Sequence, residues 1–158
     1  MLTIDQMMLR LAVAVILGAL IGLEREWVGK DAGIRTDIMV ASGSALFSMI
    51  GLMLPYIVAI EGQSVSNIIA GNGGYLSVIA NVVVGSGFLG AGVIIKHGIH
   101  VRGLTTAATM WFVAAIGVLV GIGLVAFATY ATLGIVLLLV VLRKASIGQP
   151  LAKLDEEK

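Results

Sequence analysis

The chain has 158 residues, of which 59% are hydrophobic and 12% charged, and ten basic and nine acidic residues give it a net charge of +1. A soluble domain carries charge on about 25% of its residues, so this composition excludes a soluble domain and predicts a protein whose solvent is lipid. The charge balance also leaves no concentrated basic surface for nucleic acid. The sequence has no cysteine, which excludes disulfides, thiolate nucleophiles and cysteine metal sites.

Five apolar segments are each close to the roughly 20 residues that an α-helix needs to cross a bilayer. We predict spans at 6–23, 38–60, 76–95, 104–121 and 124–142. The last boundary depends on a turn at Gly121-Ile122-Gly123, and the alternative is a single long re-entrant segment. The first span lacks a basic flank and a small-residue cleavage site, so we expect it to be a helix of the domain and not a signal peptide. The pattern predicts an all-α membrane protein with one five-helix domain at 1–145.

The basic residues alternate between successive connections. The first connection carries Arg25, Lys30 and Arg35, and the third carries Lys96 and Arg102, whereas the second and fourth carry no Lys or Arg. Four more basic residues follow the fifth span. Because connections rich in Lys and Arg stay on the cytoplasmic side, we predict an N-terminus outside, a C-terminus in the cytoplasm and a short cytoplasmic tail at 146–158.

Polar side chains concentrate at the predicted cytoplasmic ends of the helices, and three segments bring them to one face. This inner-face cluster comprises Glu24, Arg25, Arg35, Thr36, Asp37, Lys96, His100, Arg102, Thr105 and Thr106. One interpretation is that the cluster anchors the topology through structural ion pairs, such as Glu24 with Arg102. The other is a vestibule that binds an anion, a cation or a partner protein. We expect no charged residue deep inside the spans.

Small and polar residues within the spans are candidates for helix packing, because small side chains let helices approach closely. The candidates are Gly18, Gly22, Asn81, Gly85, Gly87, Gly90, Gly92, Gly117 and Gly121. They serve either compact packing within the chain or a face for a second copy or another membrane protein, with Gly117 and Gly121 as the contact to test. We expect Asn81 to hydrogen-bond across helices, and Arg10 to snorkel or to pair with Glu61.

The sequence predicts no catalytic residue and no cofactor. Ser86 has Val84 where an intramembrane serine protease needs the first glycine of Gly-x-Ser-Gly. His97 and His100 would need further ligands to hold a metal. An all-protein Mg²⁺ cage wants several carboxylates, whereas those of the inner-face cluster lie beside Arg25 and Arg35. Binding of Mg²⁺ stays open, without a visible site.

Five motifs in order across nearly the whole chain carry a resemblance to a known family. They are GALIGLERE at 18–26, AGIRT at 32–36, SALF at 44–47, GFLGAGVI at 87–94 and VRGLTTAATMW at 101–111. With these motifs the chain resembles the MgtC/SapB family of bacterial inner-membrane proteins. The resemblance implies a five-helix membrane domain with its C-terminus inside. Many members continue into a soluble cytoplasmic domain, whose functions are not carried over here.

The resemblance also implies a non-enzymatic protein linked to adaptation to low magnesium and to virulence. Within the family, regulation of a membrane partner, notably the F-type ATP synthase, is one function, and transport of Mg²⁺ or another ion is the alternative. For transport, the glycines from Gly85 to Gly92 would unwind the helix and present carbonyl oxygens to a cation. Two positions depart from the family pattern: Ser77 replaces a frequent arginine, and His100 replaces a frequent asparagine.

Overall fold

The computed structural model describes residues 2–58, 66–67 and 74–145. Within these residues the elements are α1 (Ile4–Trp27), α2 (Ile34–Val58), α3 (Gly74–Gly92), β1 (Ile95–His97), β2 (His100–Arg102), α4 (Leu104–Ile122) and α5 (Val125–Lys144). Each of these five helices is long and apolar enough to cross a membrane. The prediction of an all-α protein with five spans is therefore confirmed.

The helix ends follow local sequence signals. Thr3 and Gln6 form a reciprocal capping box at the start of α1: the Thr3 hydroxyl accepts from the Gln6 amide at 3.3 Å, and the Gln6 side chain accepts from the Thr3 amide at 3.2 Å. Helix α4 ends at Ile122, and Gly123, with a left-handed φ of 97°, forms the turn before α5. Two separate helices therefore flank Gly123, as predicted.

Helices α1 and α2 run antiparallel in close contact. A Cβ built on Gly18 would lie 2.6 Å from the carbonyl oxygen of Asp37, and one on Gly22 would lie 2.5 Å from the Cα of Ile34. Only glycine permits such an approach between backbones. The end of α1 is thereby held against the beginning of α2.

Helix α4 packs on another side of α2 and runs parallel to it. A Cβ on Gly117 would collide with the carbonyl oxygen of Ala41, and one on Gly121 would lie 2.6 Å from the Cβ of Ser48. A core of aliphatic side chains from α1, α2, α4 and α5 fills the space between these helices. Helix α2 is therefore the central element of the bundle.

Helices α3 and α5 are peripheral. Only 11% of the residues in each of these two spans are buried, against 56% in α4. Helix α3 contacts α2 where Gly51 meets Val78, and it contacts α4 where Gly90 meets Ala107. Both outer helices leave most of their surface to the surrounding lipid.

Three helix boundaries differ from the predicted spans by more than two residues. Helix α1 ends at Trp27 and not at 23, so Glu24 and Arg25 lie within it. Helix α3 ends at Gly92 and not at 95, because the chain turns into an antiparallel hairpin in which Ile95 pairs with Arg102 and His97 with His100. Helix α2 begins at Ile34, four residues before the predicted start at 38, which places Asp37 in its first turn. The predicted tail at 146–158, Glu61 and the end of the second predicted span at 59–60 lie outside the described residues.

The contacts place several chain segments at one end of the bundle, called the hairpin end below. It holds the end of α1, the start of α2, the two-stranded hairpin and the start of α4. The start of α1 and the turn at Gly123 lie at the opposite end, where they meet through Arg10.

Candidate functional site

Glu24 and Arg25 form a buried ion pair at the hairpin end. The Nη2 atom of Arg25 lies 2.5 Å from Oε2 of Glu24, and Nε donates to the same oxygen at 2.7 Å. Both side chains are only 5% exposed. The expected pair between Glu24 and Arg102 is therefore wrong, because Glu24 is buried within the bundle whereas Arg102 is exposed on β2.

Asp37 is the third charged residue buried at this end. Its side chain has no exposed surface, and neither carboxyl oxygen has a hydrogen-bond partner among the described residues. Arg25 interacts electrostatically with it. The first turn of α2 also favours a negative group, because the helix dipole is positive there. We call Glu24, Arg25 and Asp37 the buried triad.

The buried triad leaves further hydrogen-bonding capacity unused. Among the described residues, Oε1 of Glu24 and Nη1 of Arg25 are buried without a partner, in addition to both oxygens of Asp37. Buried polar atoms without partners are rare in folded proteins and call for an explanation. Ionisable groups within membrane spans are expensive to bury and commonly functional. The triad is therefore the strongest candidate site on the described part of the chain.

All three residues belong to the predicted inner-face cluster, but the sequence predicted them in the connection between the first two spans and not within α1 and α2. Asp37 was assigned to the connection because hydropathy alone rises only after it. The missed signal is the pair Gly18 and Gly22, which brings α1 against the first turns of α2 and encloses Asp37. The glycine pair that precedes Glu24 and Arg25 on α1 therefore indicates burial as well as packing.

The remaining members of the inner-face cluster lie at the same end of the bundle, and most of them are exposed. Arg35, Lys96, His100, Arg102 and Thr105 are exposed, Thr36 is half-buried and Thr106 is buried. In the hairpin, Lys96 pairs with Val101 and Ile95 with Arg102. Successive residues of a strand point to opposite faces, so Lys96 and Arg102 lie on opposite faces of the hairpin.

The described residues contain no group of three or more His, Asp or Glu side chains placed to hold a metal ion. His97 and His100 face each other across the hairpin and are exposed. In the buried triad, the positive charge of Arg25 opposes a cation beside Glu24 and Asp37.

The candidate packing residues divide into two groups. Gly18, Gly22, Gly117 and Gly121 lie against neighbouring backbones, and Gly90 lies against Ala107. By contrast, a Cβ on Gly85, Gly87 or Gly92 would meet nothing within 4 Å. These three glycines do not serve packing within the described residues, because no other helix closely approaches their positions on α3.

Asn81 and Arg10 both donate to backbone carbonyls, while Glu61, the predicted partner of Arg10, lies outside the described residues. The Asn81 side chain is exposed and donates to the Ser77 carbonyl of its own helix at 2.9 Å. The Arg10 Nη1 atom donates to the Gly121 carbonyl at 2.6 Å. Arg10 thus satisfies a carbonyl at the end of α4, which the helix itself leaves unpaired.

The amino-acid sequence of this chain is similar to those of known proteins. Residues 11–146 match the model of the MgtC family. The protein MgtC of Brucella abortus strain 2308 is 43% identical over 133 residues, which are 84% of this chain and 50% of the relative. The protein MgtC of Salmonella typhimurium strain LT2 is 42% identical over 138 residues, 87% of this chain and 53% of the relative. The chain thus spans about half the length of these curated relatives, and no solved structure matches it.

Proposed function

The chain belongs to the MgtC family, and from this membership we propose that it is a non-enzymatic regulator in the bacterial inner membrane. In this proposal it acts in adaptation to low magnesium and in virulence, by binding a membrane partner, the F-type ATP synthase. The cytoplasmic side is the hairpin end, because Lys96, Arg102 and Arg35 are there.

The observation that carries the proposal is an unpartnered face of α3. Val84, Gly87, Phe88 and Ala91 follow the i, i+3, i+4, i+7 spacing of one helix face, and all four are exposed. Phe88 is 80% exposed, and a Cβ on Gly87 would meet nothing within 4 Å. A glycine beside an aromatic side chain lets a partner helix approach closely. We call these four residues the α3 outer face.

In this proposal the α3 outer face takes the place of Gly117 and Gly121, which the sequence analysis named as the partner contact to test. Gly117 and Gly121 pack against the backbone of α2, so neither is available to a partner protein. The α3 outer face, by contrast, is not needed to hold the bundle together. Its availability supports a regulator whose partner is another membrane helix.

The test of this proposal is the variant Gly87→Leu, with Gly134→Leu on α5 as a matched control. A Cβ at either glycine meets nothing within 4 Å, so both variants are expected to fold and insert. We expect Gly87→Leu to lose co-purification with the ATP synthase from bacterial membranes and Gly134→Leu to retain it. Undiminished co-purification of Gly87→Leu would contradict docking through the α3 outer face.

Ion transport is the alternative function, and one observation favours it. Helix α3 is continuous from Gly74 to Gly92, so its carbonyl oxygens accept hydrogen bonds within the helix. The hypothesis that the glycines unwind this helix and present carbonyl oxygens to a cation therefore no longer supports transport. The buried triad now motivates the alternative, since unpaired charged atoms within a span are typical of ion pathways. Transport is tested by Mg²⁺ flux into proteoliposomes, read with an internal dye, for the wild type, Arg102→Ala and Asp37→Asn. Flux that Asp37→Asn abolishes would favour transport, and no flux from folded protein would favour regulation.

A further inference from the structure

A lateral groove of about 470 Å³ separates α2 from α3. Gly43 of α2 and Gly85 of α3 are among its lining residues, and a Cβ on either glycine would meet nothing within 4 Å. Met39, Phe47 and Leu89 also line it and are exposed, whereas the lining residues Ser44 and Ser86 are buried. The groove is therefore mainly apolar, and it lies on a different side of α3 from the α3 outer face.

The groove is long enough for a hydrocarbon chain. It extends from Met39 to Phe47 on α2, about 12 Å, and from Val78 to Leu89 on α3, about 16 Å, at 1.5 Å per residue. An extended hydrocarbon chain, whose carbons contact their neighbours at roughly 3.5–4.0 Å, fits along this length. A helix of a second copy is the other candidate occupant, and the test below distinguishes it from a lipid.

The polar side chains on the groove wall are compatible with hydrocarbon. Asn81 donates to the carbonyl oxygen of Ser77, and Ser86 donates to the carbonyl oxygen of Val83, each at 2.9 Å. Both bonds stay within α3. These donors therefore do not require a polar ligand, and the rest of the wall is dominated by apolar and small residues.

The charges next to the groove are asymmetric. Arg35 is exposed and lies one helical turn before Met39 on the same row of α2, at the hairpin end of the groove. The hairpin that follows α3 adds Lys96 and Arg102 at this end. The connection between α2 and α3, which follows the other end, contains Glu61 and no Lys or Arg.

The acidic residues at the hairpin end only partly offset this positive charge. Glu24 and Asp37 are enclosed in the buried triad, and Glu26 accepts a hydrogen bond from the Ile34 amide at 3.2 Å. Asp31 is exposed in the turn between α1 and α2. Basic groups at the mouth of a groove between membrane helices are the usual recognition elements for anionic lipid headgroups.

We propose that the groove between α2 and α3 binds one anionic phospholipid. One acyl chain lies in the groove over Gly43 and Gly85, and the phosphate lies at the hairpin end beside Arg35. The apolar fit supplies binding to any phospholipid with such a chain, and Arg35 with the basic hairpin supplies the preference for a negative headgroup.

The test is a lipid titration of the full chain in detergent, followed by native mass spectrometry. Phosphatidylglycerol and phosphatidylcholine with identical acyl chains are compared, together with the chain-free headgroup glycerophosphoglycerol. The groove variants are Gly85→Leu and Gly43→Leu, which add a side chain to the groove from α3 and from α2. The charge variant is Arg35→Gln. The matched controls are Gly134→Leu and Lys144→Gln, both on α5, and circular dichroism verifies that each variant retains its helices.

For the wild type we expect one phosphatidylglycerol bound about tenfold more tightly than phosphatidylcholine, and no binding of the free headgroup. Gly85→Leu and Gly43→Leu should lose both lipids, and Arg35→Gln should lose only the preference between them. Both controls should behave as the wild type. Wild-type lipid binding by the two groove variants would overturn the proposal, as would equal affinity of the wild type for both lipids. A lipid-free dimer that Gly85→Leu dissociates would instead assign the groove to a second copy.

Discussion

Arg25 and Glu24 are consecutive residues of α1 that pair inside the bundle, with 2.5 Å between Nη2 and Oε2. Neighbouring side chains on a helix point in different directions, so both can be buried only where the helix is covered on more than one side. Helix α1 meets this condition because it contacts α2 and α4 as well as α5. The pair therefore depends on the close approach that Gly18 and Gly22 allow.

The first prediction concerns the two halves of this pair. Removing one member of a buried ion pair typically destabilises by about 3–5 kcal/mol, because the other charge is left uncompensated. Arg25→Leu leaves both Glu24 and Asp37 without the guanidinium, and we expect a loss in that range. Glu24→Leu should destabilise less, since Arg25 still interacts with Asp37. The free energy of unfolding in detergent, from denaturant titration followed by circular dichroism, measures both.

The control for this comparison is Arg35→Leu, which removes an exposed arginine from the same end of the bundle. Surface changes of this kind are usually within about 0.5 kcal/mol. A Glu24→Leu variant that is less stable than Arg25→Leu would show that Asp37 does not share the guanidinium.

The second prediction separates glycines that pack from glycines that do not. Gly121→Ala would place a Cβ 2.6 Å from the Cβ of Ser48 and 2.7 Å from the carbonyl oxygen of Ala45, and we expect this overpacking to cost about 1–3 kcal/mol. Gly87→Ala meets nothing within 4 Å and should stabilise by about 0.5–1 kcal/mol through helix propensity. Thermal unfolding in detergent reports the sign of each change. Equal effects at the two positions would contradict the packing of α4 on α2.

Much of the fold could be predicted from hydropathy and charge, because the backbone N–H and C=O groups of each span must form their hydrogen bonds within one long apolar helix. Five segments of suitable length and a turn at Gly123 therefore identify five helices. The hairpin at 95–102 was missed because the apolar run continues through Ile95, so hydropathy does not mark the end of α3. The local features of this segment are two glycines with left-handed backbone conformation, Gly98 in the turn of the hairpin and Gly103 between the hairpin and α4.

The candidate site could be predicted only as a set of residues. The sequence grouped Glu24, Arg25 and Asp37, but it paired Glu24 with Arg102, because spacing along the chain does not reveal which side of a helix is covered. Burial of Asp37 depends on contact between α1 and α2, a tertiary relationship that single-span hydropathy does not contain. For the same reason the small-residue pattern could not tell Gly117, which packs on α2, from Gly87, which lies in open space.

The third prediction concerns Arg10 at the opposite end of the bundle. Its guanidinium donates to the Gly121 carbonyl at 2.6 Å and joins the start of α1 to the end of α4. A hydrogen bond from a charged group contributes about 1.5–3 kcal/mol, so we expect Arg10→Met to lower the free energy of unfolding by that amount. Arg143→Met, which changes an exposed arginine near the end of α5, is the control. Indistinguishable unfolding of the two variants would show that the bond to Gly121 carries no stability.

The fourth prediction tests the proposed orientation, in which the hairpin end is cytoplasmic. The chain has no cysteine, so a single introduced cysteine reports one position without background. Asp5 and Ile99 are exposed at opposite ends of the bundle, in the first turn of α1 and in the turn of the hairpin. We expect a membrane-impermeant maleimide to label Asp5→Cys in intact cells, and to label Ile99→Cys only after the inner membrane is opened. The reverse pattern would place the basic connections outside, and the charge asymmetry along the α2–α3 groove would then face the outer leaflet.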